Sequence, residues 1–293
     1  MGIAIVTDSC SDLSKETREY YGISYAKMSI TIEDKVLPAS LDWDEYSPKE
    51  LYDYMRNGIR VYTAQVSRDE FEKAFIKELE LGNDVIYIGC SSALSASVNL
   101  GKVIAEELNA KYSNKIYVID SLNSSLGLGS MVIKASELKL AGKTAIEIVN
   151  EIEETKLNVH QFCTVESLKY LKRAGRVKAS SAFFGDLMGV KPIIISDVKG
   201  NNYAYKKVRG RKNSINELIS SITANGVDLE NQTIYVCHAD DIETANQIKA
   251  LITEKVKCKD IYVNYIGPIV GASAGPGTVG VYFSGVKVEI AGE

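Results

Sequence analysis

Gly89-Cys90-Ser91-Ser92-Ala93 follows a run of β-formers, Val85–Ile88, and falls one glycine short of G-x-S-x-G. That motif is the strand-to-helix elbow that holds a nucleophilic serine. A serine hydroxyl attacks only with a general base beside it. The chain has two histidines, His160 and His238, so a hydrolase would have to draft one of them. Ala93 stands where the elbow needs glycine, and no HGGG-like oxyanion loop is present. The other chemistry open to Ser91, Ser92 and Ser95 is anion binding. Placed at the first turn of a helix, their hydroxyls and the local amides converge on negative charge. A third reading is structural, with the serines only capping that helix.

Two further segments lie where strands end. Thr7-Asp8-Ser9 closes the first strand, and "IGPIVGASAGPGTVG" (266–280) holds Gly271 and Gly275. The latter carries neither G-x-G-x-x-G nor G-K-[ST], so it is no nucleotide fingerprint and reads as a tight loop between strands. Arg173 and Arg176 belong to one basic run, Arg209 and Arg211 to another. Two such runs in one half of a chain with net charge -4 suggest a localised patch for an acidic partner.

The elements that position these residues change character midway. Ile3–Val6, Val85–Ile88 and Ile116–Ile119 are apolar without alternation, as in strands buried on both faces of a parallel sheet. Helices are expected towards Tyr21, over 94–108 and over Thr144–Lys156. From about residue 158, strands at Val159–Val165, 191–208 (two, around a polar turn), Thr233–Cys237, Ile261–Ile266 and Val279–Phe283 alternate with short helices near Glu166–Arg173, Ser214–Thr223 and Glu243–Thr253. The expected fold is α/β with two domains: an open parallel sheet over 1–158 and an α+β domain with a mixed sheet over 159–293.

With 293 residues, 45% hydrophobic and 25% charged, the composition is that of a globular chain. The acidic balance argues against a nucleic-acid partner. The start "MGIAIVTDSC" lacks the basic region of a secretory leader, and no apolar run reaches the ~20 residues of a membrane span, so no membrane insertion is expected. Five scattered cysteines without C-x-x-C suit a reducing cytoplasm and give no metal site.

Taken in order, "IVTDSCSDL", "TAQVSRDEFEKAF", "SSALSAS", "VIDSLNSSLGLG", "LKYLKRAGRVKASSAFFGDLMGVKPIIIS", "KVRGRKN" and "IGPIVGASAGPGTVG" resemble the DegV family of bacterial fatty-acid-binding proteins across nearly the whole chain. The resemblance implies a carrier that buries one long-chain fatty acid between two domains. It also implies a separate ATP-dependent fatty acid kinase subunit that phosphorylates the bound carboxylate, so the carrier itself has no cofactor and no catalytic residue. Carried over by position, the carboxylate falls to Thr63 and to Ser92 or Ser95, with Ser95 favoured. Ser273 stands where many members have a histidine, which puts kinase coupling in question more than lipid binding. Val66 replaces a proline, Ala96 a glycine and Ser97 a threonine of the family pattern. Thr7, Asp8, Ser9, Ser91, Gly271 and Gly275 are expected around the pocket, the stretch 183–190 along the lipid tail, and Arg173, Arg176, Arg209 and Arg211 at the partner surface.

Overall fold

The computed structural model describes residues 2–179 and 189–292. The chain opens with β1 (Gly2–Asp8), α1 (Lys15–Tyr21) and β2 (Ile23–Ala26). A small excursion follows through β3 (Ser29–Ile32), β4 (Lys35–Pro38), α2 (Pro48–Arg56) and β5 (Val61–Ala64). Then come α3 (Arg68–Glu80), β6 (Asn83–Gly89), α4 (Ser97–Asn109), β7 (Ile116–Asp120), α5 (Ser125–Leu140) and α6 (Ala145–Thr155). The apolar runs pair as a four-stranded parallel sheet in the order β2-β1-β6-β7. Ile5, Val6, Ile86, Tyr87 and Ile88 are fully buried in it, which is why these strands show no alternation. The excursion forms an antiparallel sheet, β4-β3-β5, whose register sets Ile30 opposite Thr63.

The second half runs β8 (Val159–Thr164), α7 (Lys169–Ala174), β9 (Val190–Ser196), β10 (Asn202–Arg209), α8 (Arg211–Asn225), β11 (Thr233–His238), α9 (Ile242–Lys255), β12 (Asp260–Tyr265), α10 (Pro268–Ala274) and β13 (Val279–Ser284). Its six strands form one mixed sheet, β10-β9-β8-β13-β11-β12, in which β11 and β12 are parallel and the other pairs antiparallel. One side of this sheet packs α8 and α9 through Ile215, Leu218, Ile248 and Ile252. The other side presents Cys163, Ile194, Cys237 and Tyr282 to the core of the first half. α5 is the hinge-pin of that shared core. Its Leu126, Leu128, Val132 and Ala135 are fully buried, and it packs on β1 and β11 alike. A helix apolar around most of its circumference is the form expected between two sheets.

Two expectations need correction, and several elements were missed. The serine segment is not the first turn of the helix over 94–108; α4 begins at Ser97, and residues 91–96 are turns. Here Ser91 competes with the helix, accepting from the amide of Ala93 at its hydroxyl and from those of Leu94 and Ser95 at its carbonyl. The glycine-rich segment is not a plain loop, since Pro268–Ala274 forms α10 with proline in its first turn. The small sheet, α2, α3 and α5 were not read from the sequence. α2 had a signal: Ser47-Pro48-Lys49-Glu50 is a capping box, and both of its reciprocal bonds form.

Candidate functional site

The serine turn is built from hydrogen bonds that cross the molecule. The Ser91 hydroxyl is buried and donates to the Gly200 carbonyl at 2.8 Å, joining the β6 end to the β9–β10 turn. Gly200 has φ +76, and a Cβ there would meet Ser91 Oγ at 2.1 Å, so only glycine fits. Ser91 is thereby committed to structure. Ser92 is exposed, and its amide donates to the Asp120 carboxylate. Ser95 and Ser97 share a hydroxyl–hydroxyl bond of 3.0 Å, and Ser97 Oγ accepts from the Val66 amide at 3.1 Å. That link fastens the serine turn to the end of β5 and brings Thr63 and Ser95 to the same space.

The space is a cavity of about 180 Å³ beyond the carboxyl ends of β1 and β6. Thr63, Ser95 and Ser273 place hydroxyls on its wall, and Arg176 is the cation in its lining. The Arg176 Nε donates to the Leu94 carbonyl at 3.1 Å, and a second N–H donates to Ala174. Two of five donors are so used, and the rest of the fork is available to an anion. The remaining wall mixes soft apolar residues, Cys10, Met28, Cys90, Ile269 and Val270, with the polar Gln65, Ser124 and Asn202. Ser124, Asn202, Val270 and Ser273 also line a small neighbouring void of about 40 Å³ that continues the path towards Leu171, Ile194 and Tyr282. On the outer side, Thr63, Arg176 and Ser273 are shared with a third pocket of about 130 Å³. Ser273, in the last turn of α10, borders all three.

Other expected residues frame this cavity instead of lining it. Thr7 Oγ1 donates to Ile88 at 2.9 Å, and Ser9 Oγ donates to Ala39 while accepting from the Met28 amide. Asp8 is fully buried, with Tyr87 Oη and the amides of Cys10 and Cys90 all donating to its carboxylate. Burial still raises its pKa, against the pull of those donors. Asp8 thus fixes the two cysteines that line the cavity. Hydrogen bonding to Cys90 and burial push the Cys10 thiol well up. Burial also raises Cys90, although its bond with Cys10 opposes this. Both are therefore held as thiols, not nucleophilic thiolates. Gly271 and Gly275 act by close approach: a Cβ would strike Tyr52 Oη at 2.3 Å and the Tyr170 ring at 2.2 Å, which seats α10 on α2 and α7.

The arginines expected together at a partner surface separate. Arg176 lines the central cavity, and Arg173 lines the outer pocket. Arg209 is exposed on β10. Arg211 turns inward, bonding Asp241 at 2.9 Å and the Gly277 carbonyl at 2.7 Å, because the α8 start faces the α9 cap. Most of the stretch expected along the tail, 183–190, lies outside the described residues.

Among the described residues, neither histidine is hydrogen-bonded to Ser91 or Ser92. His160 Nε2 bonds the Val286 carbonyl, and His238 Nδ1 accepts from the Asp241 amide. Burial lowers the pKa of both. Among the described residues, no group of three His, Cys, Asp or Glu side chains is arranged to hold a metal, and no helix is long and apolar enough to cross a membrane.

Cys10, Cys90 and Met28 on the wall were not found from sequence, and Arg176 was expected at a partner surface, not in this lining. The sulfur residues come from separate strand ends, and Arg176 was hidden in an ordinary charge run.

Comparison with known proteins places this architecture. A DegV domain-containing protein of Clostridium perfringens is 34% identical over 282 residues, spanning 96% of this chain and 97% of the relative. The structure of a DegV-family protein from Thermus thermophilus, described for its fatty acid binding, superimposes with a TM-score of 0.86 at 27% identity, covering 97% of this chain and 100% of that one. The Bacillus subtilis DegV, described as a fatty acid binding protein, gives 0.83 at 28% identity, with 97% and 99% covered. The model of the DegV family matches residues 2–285. On the fold, the relatives and that match, the chain belongs to the DegV family.

Proposed function

We propose that this protein is a carrier for a single long-chain fatty acid and presents the bound carboxylate to a separate ATP-dependent kinase subunit for conversion to an acyl phosphate. The observation that carries the reading is the central cavity. Its polar wall has four hydroxyl residues (Thr63, Ser95, Ser124 and Ser273), the amides of Gln65 and Asn202 and the Arg176 guanidinium, with sulfur and aliphatic side chains elsewhere. A carboxylate is matched by that polar set, and an alkyl chain by the rest. The energetic weight lies with the chain. Each buried methylene contributes roughly 0.8 kcal/mol, so a dozen contribute about 10. Each hydrogen bond to the charged head nets about 1.5–3 kcal/mol. The hydroxyls and Arg176 therefore set polarity and depth more than affinity. Thr63 is exposed at the mouth, which supports a head group within reach of a partner. The protein would work in the cytoplasm, without a cofactor of its own.

Denaturing mass spectrometry of purified protein tests the reading directly. A co-purified fatty acid, or one retained after delipidation and reloading, is expected. Failure to retain any fatty acid on reloading would sink it.

A further inference from the structure

Counted over His, Cys, Asp and Glu alone, the described residues hold no metal cluster. A thioether changes that count at one place. Cys10, Cys90 and Met28 all line the central cavity, and all three are buried. Cys10 Sγ lies 3.5 Å from Met28 Sδ, and its thiol also bonds that of Cys90. The three sulfurs come from distant parts of the chain, and two adjacent residues gather them. The Asp8 carboxylate accepts from the amides of Cys10 and Cys90, each at 2.9 Å. The Ser9 hydroxyl accepts from the amide of Met28 at 3.0 Å. Cys10 then has one S–H proton for two sulfur neighbours, and a thiol is a weak donor to weak acceptors. Hydrogen bonding gains little from so much positioning.

A soft cation gains more. Three sulfurs each about 2.3 Å from one ion stand about 4 Å apart. The 3.5 Å contact has to open by only about half an ångström to admit it. Among the described residues, no His, Asp or Glu lines the cavity, and Asp8 already accepts from three donors, Tyr87 Oη being the third. Thiolate and thioether ligands select Cu(I), whereas structural Zn(II) takes four ligands and hard ions take oxygen. The cavity supplies the entry path that a buried site requires. Cys163 and Cys237 instead share the Tyr282 hydroxyl, each at 3.6 Å.

We propose that Cys10, Cys90 and Met28 form a three-sulfur site for one Cu(I) ion in the wall of the central cavity. Binding makes two copper–thiolate bonds and one copper–thioether bond. The two S–H protons leave to solvent, and no electron is transferred. The site stands apart from the carboxylate reading, since Thr63, Ser95, Arg176 and Ser273 take no part in it.

The test titrates the reduced full chain with Cu(I), without oxygen, against a chromophoric Cu(I) chelator. Copper X-ray absorption at half an equivalent reads the bound ion. The variants are Cys10→Ser, Cys90→Ser, Met28→Leu and, as a control, Cys163→Ser/Cys237→Ser. Parent and control should retain the ion with three sulfur neighbours at about 2.3 Å. Cys10→Ser and Cys90→Ser should each weaken retention at least about a hundredfold, the upper end of what loss of a merely supporting residue costs a metal site. Met28→Leu keeps the volume and should hold the ion about tenfold more weakly, with two sulfurs. No retention by the parent, unchanged affinity in both single serine variants, or loss in the control overturns the site. Three sulfurs persisting in Met28→Leu overturn it as well, and that measurement stands even where a serine variant fails to fold. Zn(II) held by the parent as tightly as Cu(I) overturns the choice of a soft ion. Palmitate binding by the parent is measured alongside. Its absence with copper retained sinks the fatty-acid reading and leaves the copper site standing.

Discussion

Residues 172–178 and 206–212 look alike as sequence, each a basic run interrupted by glycine. The fold treats them oppositely. In the second, Lys206 pairs with Glu217 at 2.8 Å and Arg211 with Asp241 at 2.9 Å, both acids supplied from α8 and the α9 cap. In the first, Arg173 and Arg176 meet ring faces and carbonyls and no carboxylate among the described residues. Charge density therefore does not distinguish a paired cation from an unpaired one; the counter-charge does. Acids show the same rule inverted. Asp241 has Arg211, whereas Asp12 is buried without a cation, with the Ser125 hydroxyl donating to it at 2.6 Å and the Gly267 backbone N–H alongside, among the described residues.

Asp12 gives the largest expected effect. Burial pushes its pKa up to about 8. The folded state then keeps a proton that the unfolded chain releases near its ordinary value, so stability falls as pH rises between the two. Below about pH 6.5 the buried histidines work the other way, since their lowered pKa values cost stability as pH falls. The clean window is pH 6.5 to 8. There the parent should lose up to about 1.4 kcal/mol per pH unit to this group. Asp12→Asn should flatten the slope in urea denaturation, leaving what Asp8 contributes in the same direction. An unchanged slope would remove Asp12 as the cause.

Arg211 comes next. Arg211→Ala strips a partner from Asp241 and from the Gly277 carbonyl and should destabilise by about 2–3 kcal/mol. Arg173→Ala, on an exposed side chain with no ion pair, should stay within about 0.5 kcal/mol. Thermal melts of the two variants read the contrast, and equal losses would dissolve it.

Arg176 sharpens the ligand side. Arg176→Ala should weaken fatty-acid binding by about tenfold, or about 1.4 kcal/mol, and Thr63→Ala with Ser95→Ala by about 2–4 kcal/mol of hydrogen bonding at most. Fluorescent fatty-acid titration measures both. Undiminished affinity in either variant would place the head group elsewhere.

How much of this was legible in the sequence follows from the range of the interactions. Parallel strands announced themselves because burial on both faces erases alternation locally, as in Val85–Ile88. α5 did not, because a helix buried between two sheets loses the polar face that betrays its period. Thr63, Ser95 and Ser273 could be grouped only through resemblance. They lie on a strand end, a turn and a short helix, and the Ser97–Val66 bond that aligns the first two spans 31 positions. Arg176 and Arg211 could not be sorted at all, since the presence or absence of an acid opposite each is decided by packing.

Arg209 gives the smallest effect and the most specific one. It is exposed on β10, so its loss should leave stability and fatty-acid binding unchanged. If the basic run 206–212 keeps any role at a partner surface after Arg211 is committed inward, Arg209 carries it. Rim charges act through encounter rate and salt dependence more than through the bound state. Arg209→Ala should therefore slow acyl-phosphate formation with a supplied kinase subunit by about two- to fivefold at low salt, the scale of one screened charge of up to about 1 kcal/mol. The deficit should close as ionic strength shortens the Debye length to a few ångströms. Arg173→Ala in the same assay separates the two runs. A salt-insensitive loss there belongs to ligand handling in the outer pocket, and a salt-sensitive one equal to that of Arg209 would mean that both runs face the partner and that the distinction drawn between them fails.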